Sequence, residues 1–107
     1  MAGSPLTDAQ LAKYHEEGFA IPDYRLSEKT LTDIRAAHGR FIERYPVFSD
    51  YCPALLPLEP GFLEFAHDET ILTMVGQVIG KDFALWNSSF FAKPARVGTR
   101  TPWHQDG

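Results

Sequence analysis

The sequence predicts an α+β chain in which a helical flank, about residues 7–80, precedes the first strands of a β core, about 83–107. Three observations point that way. Capping signals open three segments with apolar residues at helical spacing, all of them before Gly80. After Gly80 the chain turns to Phe83-Ala84-Leu85-Trp86 and Ser89-Phe90-Phe91, residue types that fit a pleated surface. Proline and glycine clusters separate these stretches, and no internal repeat or low-complexity segment interrupts them.

The first helix is expected over about 8–18. Thr7-Asp8-Ala9-Gln10 has the form of a capping box, Leu11 and Tyr14 follow with Ala12 and His15 beside them, and Gly18 closes the segment. Phe19-Ala20-Ile21 then alternates before Pro22, which lacks a ladder donor, so a short strand or strand end is expected there. Ser27 caps the next helix. Leu31, Ile34, Ala37 or His38, Phe41, Ile42 and Tyr45 recur at three and four residues until Pro46 stops it. Its Glu28, Lys29, Asp33, Arg35, Arg40, Glu43 and Arg44 read as the solvated side of an amphipathic helix.

Prolines at 46, 53, 57 and 60 break any period up to Gly61, while Tyr51, Leu55, Leu56 and Leu58 make this an ordered loop that packs on its neighbours. Phe62–Ala66 forms a helical turn. Asp68 caps a third helix that carries Ile71, Leu72, Val75, Val78 and Ile79 and ends at Gly80. A strand is expected from about 83 to 92, ended by Pro94. Gly98 turns the chain, and Thr101–His104 starts or approaches another strand.

Composition narrows the function classes. The chain has 107 residues, 44% of them hydrophobic and 13% aromatic, enough for one small core and too few for a second independent domain. Its net charge of −4, with Lys and Arg scattered, leaves no basic stripe for nucleic acid. No window approaches the ~18 consecutive apolar residues of a membrane helix. Met1-Ala2-Gly3-Ser4-Pro5 lacks the regions of a signal peptide, so the expected address is cytoplasmic. The single cysteine, Cys52, can form no internal disulfide and suits a reducing compartment; it reads as a small buried or half-buried loop residue.

Chemistry concentrates at the end of the chain. In His104-Gln105-Asp106 a spacing of two puts both side chains on one face of an extended segment, where an imidazole nitrogen and a carboxylate oxygen can meet one metal ion. Two histidines and one carboxylate with open positions are the donor set of non-haem iron(II) oxygenases, and His104 with Asp106 supplies two of the three. The triplet alone is weak, because chance places a His-x-Asp in roughly one chain of this length in ten. Its setting adds to it: a strand, Lys93-Pro94, a glycine turn, Trp103, then His-x-Asp-Gly. On an alternating strand Asn87, Ser89, Phe91 and Lys93 share one face, and a mixed polar and aromatic face is common in ligand pockets and also in half-buried strands. His15 and His38 read as helix-surface residues and His67 as a loop or cap residue, none with a partner at metal spacing.

The run Asn87-Ser88-Ser89-Phe90-Phe91-Ala92-Lys93-Pro94, followed by Thr101-Pro102-Trp103-His104-Gln105-Asp106-Gly107, resembles the corresponding stretch of the phytanoyl-CoA dioxygenase family of iron(II)- and 2-oxoglutarate-dependent oxygenases. Leu6 to Phe19 also resembles how such proteins commonly begin. The layout matches over nearly the whole chain, and the specific part is its last twenty or so residues. The resemblance implies a double-stranded β-helix, a jelly-roll core, of which this chain carries the helical flank and the first strands. It implies a dioxygenase that hydroxylates an unactivated C–H bond of a small organic substrate, with iron(II), 2-oxoglutarate and dioxygen as cofactors and ascorbate in support.

By the same resemblance His104 and Asp106 are iron ligands, and an aspartate at 106, where related halogenases have a small residue, favours hydroxylation. Lys93 falls where several members hold the 2-oxoglutarate carboxylates, Thr101 where some give a hydroxyl to the cosubstrate, and Asn87 where an amide points into the pocket. Lys93 can equally be a surface lysine before a proline. Phe91 and Trp103 are the expected walls of the substrate pocket, and for Trp103 the competing reading is plain core. The family also requires a distal histidine and a basic residue, usually arginine, that no residue here supplies; the expectation is therefore a chain cut after Gly107 and inactive alone. Two other classes stay open: a cupin-like metalloprotein that does not use 2-oxoglutarate, and a non-catalytic helical interaction module resting on the Ser27–Tyr45 helix.

Overall fold

The structure, a computed structural model, describes residues 5–107. The signal-peptide reading draws on Met1 to Pro5, and the first four of these lie outside that range. Helix α1 runs Asp8–Glu17 and opens on the expected capping box. The Thr7 hydroxyl accepts from the Gln10 N–H at 3.2 Å, and the Gln10 side-chain carbonyl accepts from the Thr7 N–H at 2.8 Å. Gly18 ends it in the left-handed region at φ 85°, its N–H donating to the Tyr14 carbonyl. The short strand expected at Phe19–Pro22 does not form. Ile21 is 77% exposed, and its carbonyl accepts from the Gln10 side chain at 3.0 Å in place of a ladder. Alternating apolar residues make a strand only where a second strand lies alongside.

Helix α2, Glu28–Arg44, is capped by Ser27, whose hydroxyl accepts from the Thr30 N–H at 3.0 Å. Leu31, Ile34, Ala37, Phe41 and Ile42 turn inward as their spacing requires, and Phe41 is buried. Pro46 cannot continue the helix and starts a 3-10 turn, Pro46–Phe48, that leads into strand β1, Tyr51–Cys52. A longer 3-10 segment, Pro60–His67, covers the expected turn at Phe62–Ala66. Helix α3, Glu69–Ile79, is capped by Asp68, which accepts from the Ile71 N–H at 2.9 Å, and ends at Gly80.

Strand β2 is only Phe90–Phe91, antiparallel to β1 with Tyr51 opposite Phe91 and Cys52 opposite Phe90. Two further bonds extend the pairing, from the Leu55 N–H to the Ser88 carbonyl at 2.8 Å and from the Ala92 N–H to the Asp50 carbonyl at 2.9 Å. The expected strand over 83–92 is thus paired in its last half alone, and Thr101–His104 pairs with no strand. The ladder is as long as its partner allows: Pro53 ends β1 on one side and the 3-10 turn at Pro46–Phe48 on the other. Among the described residues the architecture is three helices, two 3-10 segments and a two-stranded antiparallel sheet.

The core sits where α2 meets the sheet. Phe41, Cys52 and Leu55 are buried, with Ile42, Tyr45, Phe48, Leu58, Phe62 and Phe90 packed around them. The Phe41 ring lies edge-on to Phe90 with centroids 5.4 Å apart and edge-on to Phe62 at 6.1 Å, so one side chain joins helix, sheet and 3-10 segment. Cys52 is fully buried, as the sequence allowed, on a strand and not in a loop. His38 departs from its expected place on the helix surface. Its ring packs edge-on to Phe90 at 4.8 Å, and its Nε2 is buried with no hydrogen-bond partner. Leu6 is fastened to α3: the Gln77 side chain accepts from the Leu6 N–H and donates to the Leu6 carbonyl, both at 2.9 Å.

Candidate metal centre

The face of the chain that carries the candidate residues follows from strand alternation. Ser88, Phe90 and Ala92 are half-buried toward α2 and the loop after it, whereas Asn87, Ser89, Phe91 and Lys93 are exposed. Those four share one face, as their spacing predicts. Tyr51, opposite Phe91 in the ladder, stacks on it with centroids 4.4 Å apart and planes 15° from parallel, so an aromatic pair stands beside Lys93.

Beyond Ala92 the chain makes a tight loop. Arg96 takes φ 69°, uncommon for a side-chain-bearing residue, and the Gly98 N–H closes onto the Pro94 carbonyl at 2.9 Å. A Cβ at Gly98 would come within 2.7 Å of the Lys93 Cβ and 2.9 Å of the Pro94 carbonyl oxygen, so only glycine lets the loop fold back over Lys93. The fold-back brings the Lys93 ammonium to the Thr101 hydroxyl, to which it donates a hydrogen bond. Eight residues apart in sequence, these two candidate cosubstrate residues meet.

His104 lies three residues on, within about 10 Å of Thr101 by chain reach. Its Nδ1 is 2.9 Å from the Pro102 carbonyl oxygen, and its Nε2 is 3.6 Å from Asp106 Oδ1. A carbonyl can only accept, so Nδ1 carries the proton and the Nε2 lone pair is left facing the carboxylate in neutral histidine. Metal-binding histidines are commonly oriented by a hydrogen bond of this kind. Two donors each about 2.1 Å from one ion lie about 3.0 Å apart at a right angle and about 3.4 Å apart at the tetrahedral angle. The observed separation is a few tenths of an ångström from that range, and both groups are open to solvent. The pair is near the spacing that two ligands of one ion require, and solvent exposure leaves both side chains free to adjust. Among the described residues no group of three histidine, cysteine or acidic side chains converges, so two donors are what this chain brings together.

Asn87 and Trp103 are placed differently from expectation. The Asn87 amide donates to the Pro53 carbonyl at 3.0 Å and accepts from the Ser88 N–H at 2.8 Å, which ties it to local backbone and takes up the groups that were to face a pocket. Trp103 is fully exposed and belongs to no core. Phe91 is 62% exposed on the Tyr51 stack. The candidate residues line an open face: a cleft of about 590 Å³ between α2 and the 3-10 segment, and a groove of about 470 Å³ beside α3, are lined by other side chains.

One residue of this region escaped sequence reasoning. Asp50 Oδ2 accepts from the Thr99 N–H at 2.8 Å, while its main-chain carbonyl receives the Ala92 N–H. The Thr99 backbone bond first, then the Thr99 hydroxyl, then the nearby Lys93 charge, hold the Asp50 carboxyl below its ordinary value. No motif marks it, since its partners lie more than forty residues away. Comparison of the chain with protein-family models, with curated proteins and with solved structures finds no match.

Proposed function

We propose that this chain contributes two iron ligands and part of the cosubstrate pocket of an iron(II)- and 2-oxoglutarate-dependent dioxygenase of the phytanoyl-CoA dioxygenase type, its helices flanking the first strands of a jelly-roll core. The observation that carries the reading is the His104–Asp106 pair, with Nε2 and Oδ1 3.6 Å apart and Nδ1 held by the Pro102 carbonyl. Bound iron with 2-oxoglutarate and dioxygen supplies the hydroxylation of an unactivated C–H bond, giving succinate and carbon dioxide as coproducts. His104 and Asp106 hold the metal, the first by a lone pair oriented from behind and the second by charge. Lys93 and Thr101 offer an ammonium and a hydroxyl, donors suited to a carboxylate of the cosubstrate. Phe91 with Tyr51, and Trp103, present apolar surface to a small organic substrate. Asn87 serves the site by fixing the strand on the Pro53 loop.

A third protein ligand and a basic partner for the far carboxylate are part of this proposal and lie outside the residues described. Turnover therefore belongs to a longer polypeptide that includes this chain. A cytoplasmic, reducing setting is proposed with it, in keeping with one buried, unpaired cysteine; no helix among the described residues is long and apolar enough to cross a membrane. The test is iron-dependent conversion of 2-oxoglutarate to succinate by that longer polypeptide. It is expected to fall below detection in Asp106→Ala, and turnover that survives the substitution contradicts the reading.

A second reading, a non-catalytic helical interaction module, has one observation of its own. The groove of about 470 Å³ between the Phe19–Pro22 segment and α3 is lined by Leu6, Phe19, Met74, Val78 and Ile79, of which Phe19 and Ile79 are more than half exposed. Metal binding that is indifferent to His104→Ala favours it. A cupin-like metalloprotein is separated from both by metal binding that needs His104 without any response to 2-oxoglutarate.

A further inference from the structure

We propose that Asp50 is a positioning residue for the cosubstrate, the anchor that sets Lys93 and Thr101 side by side as a two-point carboxylate-binding pair. The role in cosubstrate binding rests on the oxygenase reading above; the anchoring itself does not.

The loop from Ala92 to Thr101 has no strand to hold it. Its two arms are fastened at one residue. The Asp50 main-chain carbonyl receives the Ala92 N–H at 2.9 Å, directly before Lys93, and its Oδ2 receives the Thr99 N–H at 2.8 Å, two residues before Thr101. With both arms fixed and Gly98 letting the backbone close, the Lys93 ammonium reaches the Thr101 hydroxyl. Asp50 touches neither of these two groups by hydrogen bond; it acts on them through the backbone. Its second oxygen, Oδ1, is buried and without a partner. The carboxylate is therefore held in place by one edge, and its charge lies near Lys93 without neutralising it by direct contact.

The geometry separates two effects that substitution can pull apart. Asp50 supplies an acceptor that shapes the loop, and it also supplies a negative charge that opposes an incoming dianion. Asparagine keeps the first and removes the second, whereas alanine removes both. A structural residue with no part in anion binding leaves this difference without consequence for 2-oxoglutarate.

The experiment is amide hydrogen exchange and 2-oxoglutarate titration, both followed by NMR on the chain of 107 residues, for wild type, Asp50→Ala and Asp50→Asn. Loss of a hydrogen bond to a charged acceptor predicts that Asp50→Ala speeds Thr99 exchange and weakens 2-oxoglutarate binding by about tenfold or more, with amides around Phe41 and Leu55 unchanged. Asp50→Asn is expected to restore Thr99 protection and to bind 2-oxoglutarate at least as tightly as wild type. Thr99 exchange and Lys93 and Thr101 resonances that do not move in Asp50→Ala overturn the anchoring. Should the alanine variant bind 2-oxoglutarate as wild type does despite a freed loop, the positioning role is overturned as well. A wild-type chain that shows no response to 2-oxoglutarate overturns Lys93 and Thr101 as a carboxylate-binding pair in this chain; the exchange comparison then still decides whether Asp50 is the anchor, and turnover by the longer polypeptide decides the oxygenase reading.

Discussion

At His104 the partner of one ring nitrogen sets what the other can do. With Nδ1 against the Pro102 carbonyl, the imidazole presents Nε2 toward Asp106, and a divalent ion is expected to bind there. Two donors alone hold an ion weakly, and His104→Ala and Asp106→Ala should each take that binding below detection in a metal titration. The Tyr24–Asp68 pair is a second residue-scale case. The Tyr24 hydroxyl donates to the Asp68 carboxylate, which also caps α3. This bond, then the Ile71 N–H, lowers the Asp68 pKa from its ordinary 3.8, and the same bond, then burial, raises that of Tyr24 from 10.0. A depressed carboxylate stabilises the fold above its unfolded pKa and loses that contribution as pH falls through the folded value. A raised tyrosine contributes below its unfolded pKa and loses the contribution as pH rises through the folded value. Stability measured by urea unfolding should therefore fall at both acid and alkaline ends, and Tyr24→Phe should flatten both arms.

At the scale of elements, the helices were legible and the strands were not. Thr7 with Gln10, Ser27 and Asp68 are local signals: each cap is satisfied within three residues, so the sequence contains all that the helix end needs. Thr7→Ala and Ser27→Ala should each cost about 1 kcal/mol by denaturant unfolding. A strand depends on a partner from any part of the chain, and Phe83–Ser89 shows the difference. Its residues suit a pleated surface, yet only Phe90 and Phe91 meet β1, because Pro53 and the Pro46–Phe48 turn leave Tyr51–Cys52 so short. The same holds for the site. The face shared by Asn87, Ser89, Phe91 and Lys93 was readable from a period of two, and the Lys93–Thr101 contact was foreseen only as a shared role. Asp50, whose bonds span from β1 to the far arm of the loop, left no trace in local pattern. His38 stood in the pattern only as an alternative to Ala37 on the apolar stripe, a marginal position whose side Phe90 decides.

The whole molecule is open for its size. Its radius of gyration is 16.0 Å, against about 13 Å for a compact domain of this length. Its accessible surface is 8717 Å², against about 6,000 Å² for a folded chain of 12.0 kDa. Phe19, Ile21, Val47, Ile79, Leu85, Trp86, Phe91, Val97 and Trp103 are among the large apolar side chains it leaves exposed. Against so small a core, Phe41 is the side chain the fold can least lose: Phe41→Ala should cost about 3–5 kcal/mol, comparable with the entire stability of a marginal domain, and thermal melting should show no cooperative transition. The proposed oxygenase chemistry depends on the His104–Asp106 pair holding a metal ion. Titration of the 107-residue chain with manganese(II), a paramagnetic stand-in for iron(II), should broaden backbone amide signals first at residues 103–107, with the effect gone in His104→Ala. Broadening that is scattered over the acidic helix surfaces, or that persists unchanged in the variant, would contradict it.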